Sequence, residues 1–377
     1  MHRPRLKSRS ERFFEDMDYL LLIPVLLMTT IGLIVLNMVL QAGYGAGSYP
    51  GNFLKQLGAA ALGLFLALLI CLLDRPTLRL FSWLVYGLSI LLLLYVKVDS
   101  FSLAALTGAD SWIILPFIGS FQPSELAKIG IAMLASDFFA RMKTGDLDLR
   151  RGFLSIALIY GLPSFLIYRE PDFGTTLVIA VMLLTTIFVW GLDWKYILGL
   201  AGASLATFAL LWNFSFSPYM KNRILALIFP SQDIAESYHL EQAVQAIAAG
   251  GISGNSSGLD IYVPVKESDF IYSAISEYLG MIGTTSLLIL IIIFLSRAFY
   301  LAYKVQEIDY ASSYLLVALA ASQSFHFIEN MGMNVGLLPI TGIPLPFISS
   351  GGTSMVMNFL SLGLMLNISI EYKQFTN

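Results

Sequence analysis

The chain is 377 residues long, 57% hydrophobic and only 12% charged, with a formal net charge of −3. Soluble domains carry about 25% charged residues, and one soluble core of this size could not take up so much apolar side chain. A soluble globular fold is excluded on that ground, the small net charge argues against a nucleic-acid partner, and the single cysteine, Cys71, rules out an internal disulfide and a cysteine-based metal cluster.

Taken from the N-terminus, residues 1–16 are rich in Arg and Lys, and no small-residue cleavage site follows the first apolar run. Residues 1–18 therefore read as a cytoplasmic tail before a retained helix, not as a signal peptide. A spanning helix needs about 20 mostly apolar residues. Runs that qualify are 19–40, 53–73, 78–96, 124–140, 153–168, 174–190, 195–213, 270–296, 310–331 and 350–370. They predict an all-α integral membrane protein of about ten transmembrane helices, one polytopic domain over 19–371 and a cytoplasmic C-terminus at 372–377. With the N-terminus inside, 15 of the 22 Lys and Arg fall on the cytoplasmic side, the asymmetry that sets orientation. Both termini then lie inside, and 41–52, 97–123, 214–269 and 332–349 face outward. No inverted repeat of the kind found in many transporters is evident.

Charge at membrane depth is costly and usually functional. The spans hold Glu125, Lys128, Asp137, Glu277 and Glu329, with His326 titratable. Glu125 and Lys128 stand at i, i+3 on one helical face and can pair, either as a structural lock or as the wall of a polar cavity. Placement along the spans puts Glu125, Lys128, Glu277 and Glu329 in one leaflet, which points to a water-accessible outward pocket. Asp137 reads as interfacial, His326 as a hydrogen-bonded core histidine, and three histidines in the whole chain make a zinc site implausible.

The segment 214–269 is too long for a simple connection and too varied in composition for a linker. Segments 219–229 and 238–249 have the pattern of interfacial amphipathic helices, and 250–258 (GGISGNSSG) reads as a glycine-rich hinge. Asp269 closes the segment, immediately before the eighth span. Spacing leaves two roles open for it: an N-terminal cap of that span, or a partly desolvated carboxylate suited to general-base work.

The motifs FQPSELAK at 121–128, EPDFGTTL at 170–177, PYMKNRI at 218–224, VPVKESDFIYSAISEYLG at 263–280 and MNVGLLPITGIPLPFISSGGTSMVMN at 333–358 occur in that order. Together they resemble the SEDS family (shape, elongation, division and sporulation), and its RodA-like members more than its FtsW or SpoVE members. The resemblance implies a peptidoglycan glycosyltransferase that polymerises lipid II into β-1,4 glycan at the outer face of the bacterial cytoplasmic membrane. It implies that Asp269 is the catalytic carboxylate and that Glu125 and Lys128 line the central cavity. Lys221, Arg223, Ser268 and Glu277 complete the expected substrate contacts, with Arg223 and Lys128 the first candidates to stabilise the diphosphate leaving group. No metal ligand set is assigned, although a divalent cation such as Mg or Mn could assist those cations. The implied partners are a class B penicillin-binding protein, other elongation-complex proteins, lipid II and membrane lipids. Ser111 stands where the family usually has Arg before the Trp, Val265 where Glu is common, Glu267 and Ser268 where His or Gln and Thr are common, and Ser350 where Tyr is usual. A lipid II flippase and a non-catalytic scaffold are the competing readings. The charges, Asp137 apart, are expected to stop in the outer half, which argues against a flippase.

Overall fold

The computed structural model describes residues 13–43, 51–98, 111–115, 119–170, 172–196, 234–256 and 260–376, together with 198, 199, 202, 209, 210, 213, 221 and 225. A short α1 (Phe13–Asp16) leads into the long helices α2 (Tyr19–Gln41), α3 (Gly51–Ile70) and α4 (Arg75–Val98). A two-stranded antiparallel hairpin follows, β1 (Ile113–Leu115) and β2 (Gly119–Phe121), in a segment expected to be plain loop. Then come α5 (Pro123–Thr144), α6 (Leu149–Tyr168), α7 (Phe173–Trp190), α8 (Ile234–Gly250), α9 (Ile271–Val305), α10 (Tyr310–Asn334) and α11 (Gly352–Thr376). The expected span 195–213 falls largely outside the described residues.

Eight of the described helices are long and apolar enough to cross a membrane: α2, α3, the Arg75–Val96 part of α4, α6, α7, α9, α10 and α11. The protein is a multi-pass membrane protein. α5 is as long as these, but it carries Glu125, Lys128, Asp137, Arg141 and Lys143 and runs through the interior with both Glu125 and Lys128 buried. The interior belongs to α5, α10 and α11; 67% of the apolar stretch of α10 and 83% of that of α11 are buried, against 17% for α4. Helices α3, α4 and α9 turn large side chains outward, among them Phe65, Leu80, Leu84, Leu91, Ile282, Ile289 and Ile292. Such faces are stable where lipid is the solvent and the backbone polar groups are satisfied within the helix.

Small residues let the inner helices approach closely, as is usual between helices in lipid. A Cβ at Gly363 of α11 would stand 2.7 Å from the Cα of Ala67 on α3. The chain's two terminal segments meet at one end of the bundle, where Asp18 pairs with Arg297 at 2.8 Å and accepts from Ser369, and Lys373 donates to the Met17 carbonyl. The quoted motifs that are described gather at the opposite end, where α5, α7, α9 and α11 begin and α10 ends.

Candidate functional site

At the motif end α9 is not continuous. Gly280 has φ 64° and ψ −160°, a conformation open to glycine alone, and the helix breaks there. The segment 250–255 fills the break. The freed N–H groups of Met281 and Ile282 donate to the carbonyls of Gly251 and Ile252, and the Asn255 N–H donates to the Glu277 carbonyl at 2.7 Å. The glycine-rich run is therefore a backbone graft seated in a helix, not the expected hinge. The fit demands glycines, because a Cβ at Gly254 would meet the Tyr278 carbonyl. Helix α8 packs on α9; Ala243 and Ala246 cover Val263 and Phe270.

From this anchored segment the chain turns into Asp269. The Val265 carbonyl accepts the N–H groups of both Ser268 and Phe270, and Val265 itself has φ 55°. A β-branched residue in the left-handed region is strained, by about 1–3 kcal/mol, and such strain gathers at functional sites. The cap position of α9 falls on Phe270, whose side chain makes no capping bond, and the Ser273 N–H is taken by Asn334 Oδ1. That first-turn donor of α9 is thus satisfied by a side chain of α10.

Asp269 is half-buried. Its carbonyl accepts from Asn330 Nδ2 at 2.9 Å and Asn334 Nδ2 at 3.1 Å. Its carboxylate faces the loop 339–351, with Oδ2 3.4 Å from where a Cβ would stand on Gly342. Ser268 is half-buried and its carbonyl accepts from Ser349, whose own carbonyl is held by Gln56. One face of α10 joins this region to α5. Its residues run His326, Glu329, Asn330, Asn334, and Glu329 accepts from Thr341 beside Gly342. Neither asparagine is named from the sequence alone, although the i, i+4 stripe ending about two turns beyond His326 is legible there.

Glu125 and Lys128 form the expected pair at 2.8 Å, and both are buried. The Lys128 ammonium also lies 2.7 Å from His326 Nε2. An ammonium can only donate, so Nε2 is the acceptor and Nδ1 carries the proton, directed at the Pro344 carbonyl. Asp172 ties the PSELAK and EPDFG segments together: it accepts from Gln122 at 3.0 Å and Ser124 at 3.4 Å and caps α7 through the Thr175 N–H. Burial pushes the Asp172 carboxyl above the usual carboxylate range, against the pull of the Thr175 N–H and the Lys128 charge. Ser111 donates to the Glu170 carbonyl at 3.1 Å, so this departure from the family pattern packs the hairpin segment against EPDFG.

Glu277 departs from expectation. Among the described residues its carboxylate contacts neither Glu125 nor Lys128; it turns to Asn255, Ile261 and Lys266 and is fully buried against Lys266 at 2.6 Å. The reason is the supply of partners, since the Ile261 N–H also donates to it at 2.9 Å. Lys221 is helical and half-buried, and Arg223 lies outside the described residues. Among the described residues, no three His, Cys, Asp or Glu side chains gather so as to hold a metal ion.

Polar groups also continue past Lys128. Gln323 donates to Asn358 at 2.8 Å, and Ser322 and Ser361 stand beside them. A cavity of about 460 Å³ opens at the terminal end, bordered by Arg79, Ser136, Asp137 and Asn367. The groups that continue past Lys128 are uncharged, and Asp137, at the terminal cavity, is the exception noted from the sequence.

The chain is similar to the peptidoglycan glycosyltransferase MrdB of Escherichia coli K12, with 29% identity over 361 residues covering 93% of this chain and 94% of that one. Its fold matches a chain from a peptidoglycan synthase complex that coordinates polymerisation and crosslinking, with TM-score 0.80, 28% identity and coverage of 95% and 99%. It also matches the rod shape determining protein RodA of Thermus thermophilus, with TM-score 0.68, 27% identity and coverage of 94% and 96%. Residues 18–374 match the cell cycle protein family of FtsW, RodA and SpoVE, and the chain belongs to that family.

Proposed function

We propose that the protein is a peptidoglycan glycosyltransferase that polymerises lipid II into β-1,4 glycan during cell elongation, with Asp269 as general base. The observation that carries this reading is the placement of Asp269: its backbone is fixed by Asn330 and Asn334, while its half-buried carboxylate faces the glycine of the ITGIP loop. In the reaction, Asp269 takes the proton of the acceptor's 4-hydroxyl. That oxygen attacks C1 of the donor in line, the C1–O bond to the lipid diphosphate breaks, and the configuration at C1 inverts. Negative charge grows on the departing diphosphate, and pre-placed cations stabilise it. Lys128, Arg223 and Lys221 have that role, and Glu125 holds the Lys128 ammonium in place. Ser268, next to the base, contacts the acceptor sugar.

The motif end faces outward, both termini are cytoplasmic, and the polyprenyl tails lie along the apolar outer faces of the bundle. A class B penicillin-binding protein is the partner, a reading supported by the likeness to a chain of a polymerising and crosslinking complex. The test uses purified protein, with and without that partner, given labelled lipid II. Long glycan from wild type and none from Asp269→Ala is the expected result; equal polymer from both would remove Asp269 from the chemistry. The polar groups beyond Lys128 and the cavity at the terminal end favour a second reading, lipid II flipping. Protein in vesicles loaded with fluorescent lipid II distinguishes the two, because a flippase equilibrates the leaflets whether or not Asp269 is present.

A further inference from the structure

Glu277 holds the Asp269 segment at separate points along its length. Its backbone carbonyl accepts the Asn255 N–H at 2.7 Å. Its Oε1 accepts the Ile261 N–H at 2.9 Å and Asn255 Nδ2 at 3.4 Å, and its Oε2 meets Lys266 Nζ at 2.6 Å. Lys266 in turn donates to the Ile261 carbonyl at 3.0 Å and lies 5.1 Å from the centre of the Tyr278 ring. Both side chains are 0% exposed, so neither can touch a substrate without the segment coming apart. Three residues after Lys266 stands Asp269.

Burying an ion pair this completely is a poor route to stability, since desolvating two charges offsets most of their attraction, and an apolar pair of similar size is often as stable. What the pair does supply is geometry. A carboxylate that binds one backbone N–H and one ammonium allows a single register between the segment and α9. It also acts at the strained turn, because Val265, whose carbonyl closes that turn onto Phe270, is the neighbour of Lys266.

We propose that Lys266 and Glu277 are a positioning pair for the general base: they set the height of the 261–269 segment on α9, and so the place of the Asp269 carboxylate, without contacting substrate. This rests on the reading of Asp269 as the base. It reassigns Glu277 from substrate contact to positioning, and it gives Lys266 a role the motif comparison does not.

Steady-state glycan synthesis with purified Lys266→Met, Glu277→Gln and the double variant tests it, alongside hydrogen exchange of the 255–271 backbone. Each single variant leaves one charge sealed without its partner. A displacement of about 1 Å at a reacting group lowers turnover by about 100-fold, so kcat should fall by that order while the KM for lipid II stays within about threefold. The double variant leaves no isolated charge and keeps a glutamine oxygen for the Ile261 N–H, and it should recover at least about tenfold of the lost kcat. Exchange should rise around Ile261 in the single variants and fall back in the double. Wild-type kcat in the single variants, a loss confined to KM, or a folded double variant no faster than the slower single would overturn the proposal. If the single variants do not accumulate, the double variant decides: kcat within about tenfold of wild type supports the pair as positioning, and a loss of about 100-fold with native exchange rejects it. Asp269→Ala in the same panel separates the two readings, because polymer from that variant would remove the base while the exchange data still report on the clamp.

Discussion

Glu125–Lys128 and Lys266–Glu277 are both sealed ion pairs, and their surroundings differ. The first lies within one helix at i, i+3, so its pairing fixes no tertiary contact. Its ammonium has three protons, of which Glu125 and His326 take two, and it borders a small polar cavity with Ser322, Gln323 and Asn358. The second joins a loop to a helix and is bound by backbone groups, the Asn255 amide and an aromatic ring. A charge with a spare donor beside a polar cavity can work on a substrate; a pair sealed at 0% exposure can only hold a shape. The sharpest way to break the contrast is to neutralise the first pair as a pair. Lys128→Met with Glu125→Gln leaves no lone buried charge, so the fold should persist, but the leaving group loses a cation and polymer synthesis should fall by about 10²–10³-fold. The double variant at Lys266 and Glu277 should regain turnover where this one does not. Recovery here to within about tenfold of wild type would make Glu125–Lys128 a structural lock and erase the difference.

A smaller effect is expected at the graft that supports the second pair. Gly280→Ala would place a Cβ 2.5 Å from the Ile252 carbonyl and from the Gly254 nitrogen, in a conformation alanine avoids. The loss should be about 3 kcal/mol, read as a lower melting temperature in detergent and faster exchange across 250–256. Unchanged melting would mean that the segment can leave the break at no cost, returning it to the hinge its composition suggests.

Legibility follows the same division. The long apolar runs predicted the helices closely, because a bilayer requires a length and an apolar surface that composition reports directly. Glu125–Lys128 was legible because its partners are three residues apart on one helix. Lys266–Glu277 was not, because an ion pair that spans a loop and a helix depends on a register that the backbone graft at Gly280 sets. Asn330 and Asn334 were missed for a related reason: amides on an inner helix look like ordinary helix–helix contacts until the carbonyl they bind, that of Asp269, is placed. The identity of the reaction came from the motifs and not from spacing, which left Asp269 divided between cap and base.

The smallest expected effect lies at the terminal end. There Arg79 meets Asp137 at 2.7 Å, but the arginine side chain is 67% exposed, and Arg75, bound to Asp309 and Glu371, is 37% exposed. Pairs reached by solvent or headgroups gain little net attraction, so Arg79→Ala should change stability by less than about 1 kcal/mol. It should also leave polymer length and rate unaltered, since the proposed chemistry is at the other end of the bundle. The same variant examines the transporter reading, because Arg79 and Asp137 border the cavity at this end. A flippase would have to pass the headgroup of lipid II beside them, and losing a guanidinium that can bind its diphosphate would slow exchange between leaflets. If Arg79→Ala lowered polymer synthesis by tenfold or more with lipid II supplied only to the outer leaflet, the division between a working end and a structural end would fail. If it slowed leaflet exchange and left synthesis intact, the two ends would each have a function of their own.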